Sequence, residues 1–201
     1  MSHEPDPYLM RPTHRIMVFV DGENLVARYQ DMLKDGCIPR DDMFHERDVA
    51  VWHPSFTQLA RYHEILRVTY YTYVVGDDNR VKNVREAIRQ LTFSKHGASM
   101  LPNCVTPCVF KKDSRSRHAK GVDIQIPVDV LSHVYRHNVD AVLLLSGDGD
   151  YAPLIDEVSR NGVQVFLSTF SKGFNPYLRD KVDALYELDG TTWQTRPETS
   201  A

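Results

Sequence analysis

Asp148 and Asp150 stand two residues apart in LLLSGDGDY (143–151), directly after a run of three leucines. Two like charges at the exit of so hydrophobic a run have two readings. A lone aspartate at the start of a helix is a common N-cap, its side chain accepting an orphan N–H. A pair that meets further acids is instead half of a cation site, because crowded carboxylates repel unless a divalent ion neutralises them. Two further acids occupy comparable places: Asp21 ends the apolar run RIMVFVD (15–21), and Asp123 lies in KGVDIQIPVDVL, where a helix starts. Taken singly, Asp21 reads as a turn residue before glycine, and Asp123 and Asp150 as N-caps. Asp148 resists that reading best, since a carboxylate at the tip of VLLLSG gains nothing from burial. Taken together, four carboxylates at one sheet edge call for a cation. Oxygen ligands without Cys or clustered His favour Mg²⁺ or Mn²⁺ over zinc.

For these acids to meet, the ends of separate strands must adjoin. Apolar runs at 15–21, 67–76, 103–110, 140–147, 162–169 and 184–188 read as strands. Helical stretches are expected at 24–33, 55–64, 78–94, 123–137 and 151–160. This alternation predicts parallel βαβ units and a three-layer α/β/α sandwich with a central, mainly parallel sheet of five or six strands. Ligands in such sheets gather beyond the carboxyl ends of the strands, where Asp21 and Asp148 fall. Pro107 lacks a ladder donor and argues for an edge position of the third run. Pro127 is tolerated within the first few helical positions, which places the helix start near Asp123. Val81, Val84, Ile88 and Leu91 recur at spacings of three and four, one apolar face with arginines opposite. Residues 35–54 lack periodicity and read as an insertion or long loop. The polar, proline-containing ends, 1–12 and 191–201, read as flexible, leaving one domain over 13–190.

The chain of 201 residues is 42% hydrophobic and 25% charged, as expected of a folded protein rather than a disordered one. No apolar run approaches the roughly 20 residues needed to span a bilayer, and the N-terminus lacks the apolar stretch of a signal peptide, so a cytoplasmic protein without membrane partners is expected. Cys37, Cys104 and Cys108 read as unpaired thiols, because Cys104 and Cys108 have no second pair in a zinc spacing. The net charge of −3 hides a segregation: residues 61–120 carry 12 Lys/Arg against 5 Asp/Glu. The loop KKDSRSRHAKG, with Lys111, Lys112, Arg115, Arg117, His118 and Lys120, precedes Asp123 and reads as a nucleic-acid rail that orders on phosphate contact.

The ordered set FVDGENL, KGVDIQIPVDVL and LLLSGDGDYAPLIDEVSRNGVQVFL resembles the NYN domain family of PIN-like nucleases, the group that includes LabA-like proteins, over roughly residues 15–188. The resemblance implies a metal-dependent ribonuclease with a central parallel sheet. It maps the family's acidic positions onto Asp21, Asp123, Asp148 and Asp150, its polar supports onto Asn24 and Ser146, and its KG-x-D lysine onto Lys120. Asp129 matches a recurrent acid but lies six residues into the helix. The 35–54 stretch is bulkier than the family core. Hydrolysis of a phosphodiester needs charge stabilisation and an activated water, which divalent ions supply, two of them when about 3.5–4 Å apart. Asp148 and Asp150 would hold one ion, Asp21 would bridge, Asp123 would complete the site or orient water, and Lys120 would pair with the scissile phosphate. The expected partner is RNA in single-stranded or loop regions; the oligomeric state stays open, a homodimer included. Two alternatives remain. One is a non-catalytic RNA-binding or regulatory module of the same fold. The other is a haloacid-dehalogenase-like phosphatase, a family that wants a second acid two residues after the first, where this chain has Glu23, and a Ser/Thr ending the second strand, where it has YVVGDD.

Overall fold

The computed structural model describes residues 14–94, 103–112 and 121–195. The first half contains β1 (Arg15–Asp21), α1 (Gly22–Lys34), β2 (Ile38–Pro39), β3 (Phe44–Glu46), β4 (Ala50–Trp52), a 3₁₀ segment (Pro54–Ala60), β5 (Glu64–Val75) and α2 (Asp78–Gln90). The second contains β6 (Thr106–Lys112), α3 (Val122–Tyr135), β7 (Ala141–Leu145), a 3₁₀ turn (Gly149–Tyr151), α4 (Ala152–Arg160), β8 (Gln164–Thr169), a further 3₁₀ stretch (Pro176–Lys181), β9 (Ala184–Glu187), α5 (Asp189–Thr192) and β10 (Trp193–Thr195).

Six strands form one sheet in the order β6-β5-β1-β7-β8-β9, every pair parallel. Its middle strands are apolar throughout because both faces are covered; all five residues of β7 are buried. Alternation along β1 divides the core. Ile16, Val18 and Val20 pack with α1, α2 and β4, while Met17 and Phe19 pack with α3 and α4. Helices therefore cover both faces, and the chain is the expected α/β/α sandwich. The strand order reverses at β1, which pairs with β5 on one side (Val18↔Val68) and β7 on the other (Val18↔Leu143). A crevice beyond the strand ends is generated at that switch point. Pro107 does lie on an edge strand, β6, opposite Tyr70.

Four local expectations need correction. Residues 35–54 are not a structureless loop: β3 and β4 form a hairpin, and Ala50, Val51 and Trp52 are buried against α1 and β5. The Tyr70 hydroxyl accepts from Val51 N at 3.0 Å, and Trp52 Nε1 donates to the Thr92 carbonyl at 2.8 Å. The helix expected at 55–64 is a 3₁₀ segment with non-helical backbone at Thr57, because β5 already begins at Glu64 and Phe56 is drawn between Trp52 and Phe170. Residues 191–195 are not tail: Trp193 pairs with Pro39 through β10 and β2 and stacks on Tyr29 at 4.9 Å. Pro127 lies deeper than expected in α3, so it offers no N–H to the Asp123 carbonyl four residues back. The expected flexible ends 1–12 and 196–201 lie outside the described residues. No described helix is long and apolar enough to cross a membrane.

Candidate active site

Asp21 ends β1 and caps α1, so one side chain serves both a strand end and a helix start. It is 4% exposed. Its Oδ1 accepts from Asn24 N at 3.1 Å and its Oδ2 from the Ser146 hydroxyl at 2.9 Å, across the switch point. Ser146 Oγ in turn accepts from Asp148 N at 3.2 Å, and Asp148 Oδ1 from Asp150 N at 3.0 Å. Asn24 closes the arrangement, its Oδ1 accepting from Gly147 N at 3.0 Å. The two strand ends are thus clasped by Asn24 and Ser146. The clasp needs glycine beside it: a Cβ on Gly22 would stand 2.3 Å from the Tyr70 ring, and one on Gly149 2.0 Å from the Asn175 amide.

The capping roles are distributed otherwise than single residues suggest. Asp21 and Asp148 are the N-caps; Asp148 heads the 3₁₀ turn and is exposed rather than buried. Asp123 is the second residue of α3, whose cap, Gly121, makes no side-chain cap bond, and Asp150 lies inside the 3₁₀ turn. Neither caps, and both are exposed near the strand ends.

Burial pushes the Asp21 carboxyl up to about 6; its two hydrogen bonds oppose that rise, and the charges of Asp123 and Asp148 add to it. Asp123 is likewise raised, first by burial, then by Asp148 and Asp150. Asp123 and Asp148 thus act on Asp21, and Asp148 and Asp150 on Asp123. Among the described residues, however, no group of three or more His, Cys, Asp or Glu side chains is arranged to hold a metal ion as it stands. Asp21 and Asp148 each turn an oxygen to the N–H groups they cap. The donor set, all carboxylate oxygen, is of the kind that suits a hard cation.

Two members of the site escape a reading of motifs. Glu23, one residue before Asn24, is raised by burial and by Asp123, with Lys112 opposing. It sits beside Tyr73, whose ring carries the Lys112 ammonium 4.2 Å from its centroid. Tyr151 is 5% exposed, and its hydroxyl is buried with no completed hydrogen bond, turned toward Asp21 with Asp123 and Asp148 nearby. The signal for Glu23 was its place in the first turn of the helix that Asp21 caps; for Tyr151 there was none beyond adjacency to Asp150. Asp129 belongs elsewhere, accepting from the Tyr71 hydroxyl and the Gln125 amide, both at 2.7 Å. Of the expected rail, Lys111 donates to Asp78 at 2.7 Å and Lys112 borders the acids through Glu23. Arg115, Arg117, His118 and Lys120 lie outside the described residues.

The fold has a solved counterpart. A protein of unknown function from Vibrio parahaemolyticus RIMD 2210633 superposes with a TM-score of 0.61 at 17% identity, over 90% of this chain and 96% of that one. A protein of Parabacteroides merdae ATCC 43184 with a provisional oxidoreductase designation gives a TM-score of only 0.32 at 11% identity, and the match spans 32% of its length. No curated protein matches. The profile of the NYN domain matches residues 15–189, from the first residue of β1 to the start of α5, with the clasped acids of β1 and β7 inside it. The chain belongs to the NYN domain family and has its PIN-like nuclease fold.

Proposed function

We propose that this protein is a metal-dependent ribonuclease that hydrolyses RNA phosphodiester bonds at the mouth formed by Asp21, Asp123, Asp148 and Asp150. The observation that carries the reading is Asp21: a buried carboxylate locked between two strand ends, facing other acids rather than a cation. Uncompensated carboxylates oppose a polyanion, so a protein that only gripped RNA would gain nothing from them. Asp148 and Asp150 would hold an Mg²⁺ or Mn²⁺ ion, with Asp21 between the strands and Asp123 completing the set. Such an ion, when bound, supplies Lewis acidity that offsets phosphoryl charge and acidifies water.

The chain's own contribution is positional. Asn24 and Ser146 fix both oxygens of Asp21, and the Asp148 cap sets where Asp150 stands. Lys112, and Lys120 from the KG-x-D motif, offer cations to substrate phosphate. The thiols Cys37, Cys104 and Cys108 form no disulfide, which suits work in the reducing cytoplasm.

A second reading, an RNA-binding module without turnover, draws on one observation: among the described residues no three acids are arranged to hold a cation. Incubation of single-stranded and structured RNA with Mg²⁺, Mn²⁺ or EDTA separates the two. Hydrolysis by water gives 5′-phosphate and 3′-hydroxyl ends, only with the divalent ion, and Asp148→Asn abolishes it. RNA left intact under every divalent ion tried establishes the binder. Ends bearing 2′,3′-cyclic phosphate would overturn water attack and turn attention to His118.

A further inference from the structure

Beside the acid mouth, on the flank where β6 is the sheet edge, α2 and β6 run in opposite directions and enclose an open groove of about 380 Å³. Its floor is Val81 and Val109, both under 8% exposed. Its walls carry Lys82, Arg85, Arg89 and Lys111, against only two acids, Asp78 and Glu86. The residues are laddered along its length. At the top, Lys111 reaches Asp78 at the start of α2; halfway down, Arg85 donates to the Val109 carbonyl at 3.1 Å; at the bottom, Arg89 also lines a second hollow of about 450 Å³ with Arg67 and Pro107.

We infer that this groove is a track for the phosphate backbone of single-stranded RNA, running from the acid mouth down the edge of the sheet. The inference rests on the ribonuclease reading for its direction. Lys112 follows Lys111 on β6 and, by strand alternation, points to the opposite face, where it borders Glu23 at the mouth, so the track and the acids adjoin around the carboxyl end of β6. The ion pairs within the groove are exposed, Arg89 with Glu86 at 3.2 Å and Lys111 with Asp78 at 2.7 Å. Exposed pairs of this kind contribute little and exchange readily for phosphate, which takes several donors at once. The narrow apolar floor gives no wide surface for a folded protein partner, and several cations spaced along the walls match the repeating phosphates of a backbone. The thirteen residues of α2 extend about 20 Å, room for about six nucleotides at the stacked spacing of about 3.4 Å.

Binding is measured by fluorescence anisotropy in EDTA, where RNA is not consumed, with single-stranded RNA of twelve nucleotides and, by competition, of four. The Lys82→Glu/Arg89→Glu double variant changes only exposed side chains. It is expected to lose ten-fold or more in affinity for both lengths and show a salt slope shallower by roughly 1.4, whereas Arg136→Glu/Arg160→Glu, an equal charge change at exposed residues away from the groove, keeps most of the affinity. Lys82→Gln/Arg89→Gln, with an unchanged melting temperature, gives a smaller loss of the same kind. Equal affinity in wild type and groove variants overturns the track, as does an equal loss in the Arg136→Glu/Arg160→Glu control, or a wild type that binds neither length. A wild type that binds through the groove yet cleaves nothing leaves the track standing and removes the ribonuclease reading.

Discussion

β1 carries a charged residue at each end, and the two ends are treated in opposite ways. At its start, Arg15 meets Asp140: Nε and Nη2 donate to the carboxylate at 3.1 and 2.9 Å, and Arg15 N adds a bond at 2.8 Å. The guanidinium holds Asp140 down at about 2. At its end, Asp21 has hydrogen bonds but faces other acids, and burial lifts it to about 6. The same seven-residue strand thus carries a satisfied ion pair at one end and a carboxylate raised by burial at the other. The ion-paired end tethers the strands, and under the proposed function the end without a cation is where one would bind. A carboxylate raised chiefly by burial, and further by neighbouring acids, is a candidate for function that the ion-paired end is not.

The largest expected contrast is in cleavage. Asp148→Asn and Asp21→Asn should each lower single-turnover cleavage by on the order of 10³-fold or more, whereas Asp140→Asn should leave it near wild type. RNA binding by the site variants should persist or tighten, because negative charge is removed near phosphate; a parallel loss of binding would make the acids structural.

Next comes metal-linked stability. Millimolar Mn²⁺ should raise the wild-type melting temperature by roughly 5–10 °C if it reaches about 100 times its dissociation constant. Asp148→Asn should abolish that gain without lowering the metal-free melting temperature; Asp140→Asn should keep the gain on a lowered baseline. Calorimetry with and without the ion reads both.

The pH dependence should have opposite signs at the two ends. Asp140 is depressed, so its contribution is present above about pH 4 and is lost as pH falls toward 2. Asp21 is raised from 3.8 to about 6, so the folded state binds the extra proton and stability falls as pH rises through that window. Asp21→Asn should therefore be more favourable at pH 7 than at pH 4, by at most about 3 kcal/mol, less whatever the Ser146 bond loses. Denaturant titration across pH 3–8 checks this, and a flat difference would mean that Asp21 is not strained.

The smallest effect concerns Tyr151. Removing the buried hydroxyl turned toward Asp21 in Tyr151→Phe should change metal-free stability by about 1 kcal/mol at most, while reducing the Mn²⁺-induced rise in melting temperature. A clear loss of metal-free stability would show that the hydroxyl is already satisfied.

Much of this was legible in the residues themselves. A strand buried on both faces must be apolar throughout, so RIMVFVD and AVLLL declare themselves, and an amphipathic helix must repeat every three to four residues, so α2 does too. Pro107 announced an edge because it has no donor to give. The acids could be named because charge at the tip of an apolar strand is costly wherever it falls. What the sequence did not contain is which groups meet. The short strand AVW has no period to detect and is a strand only because Phe44–Glu46 lies opposite it. That Asp21 and Asp148 cap while Asp123 and Asp150 do not follows from where each helix turns after its strand. Glu23 joins the site through the angle at which α1 leaves β1, and Tyr151 through the depth of the turn beneath Asp148. Local composition determined the elements and their chemistry; the pairing of β1 with β7 across the reversal in strand order decided the site, because contacts 125 residues apart, such as Ser146 with Asp21, exist only once the sheet has formed.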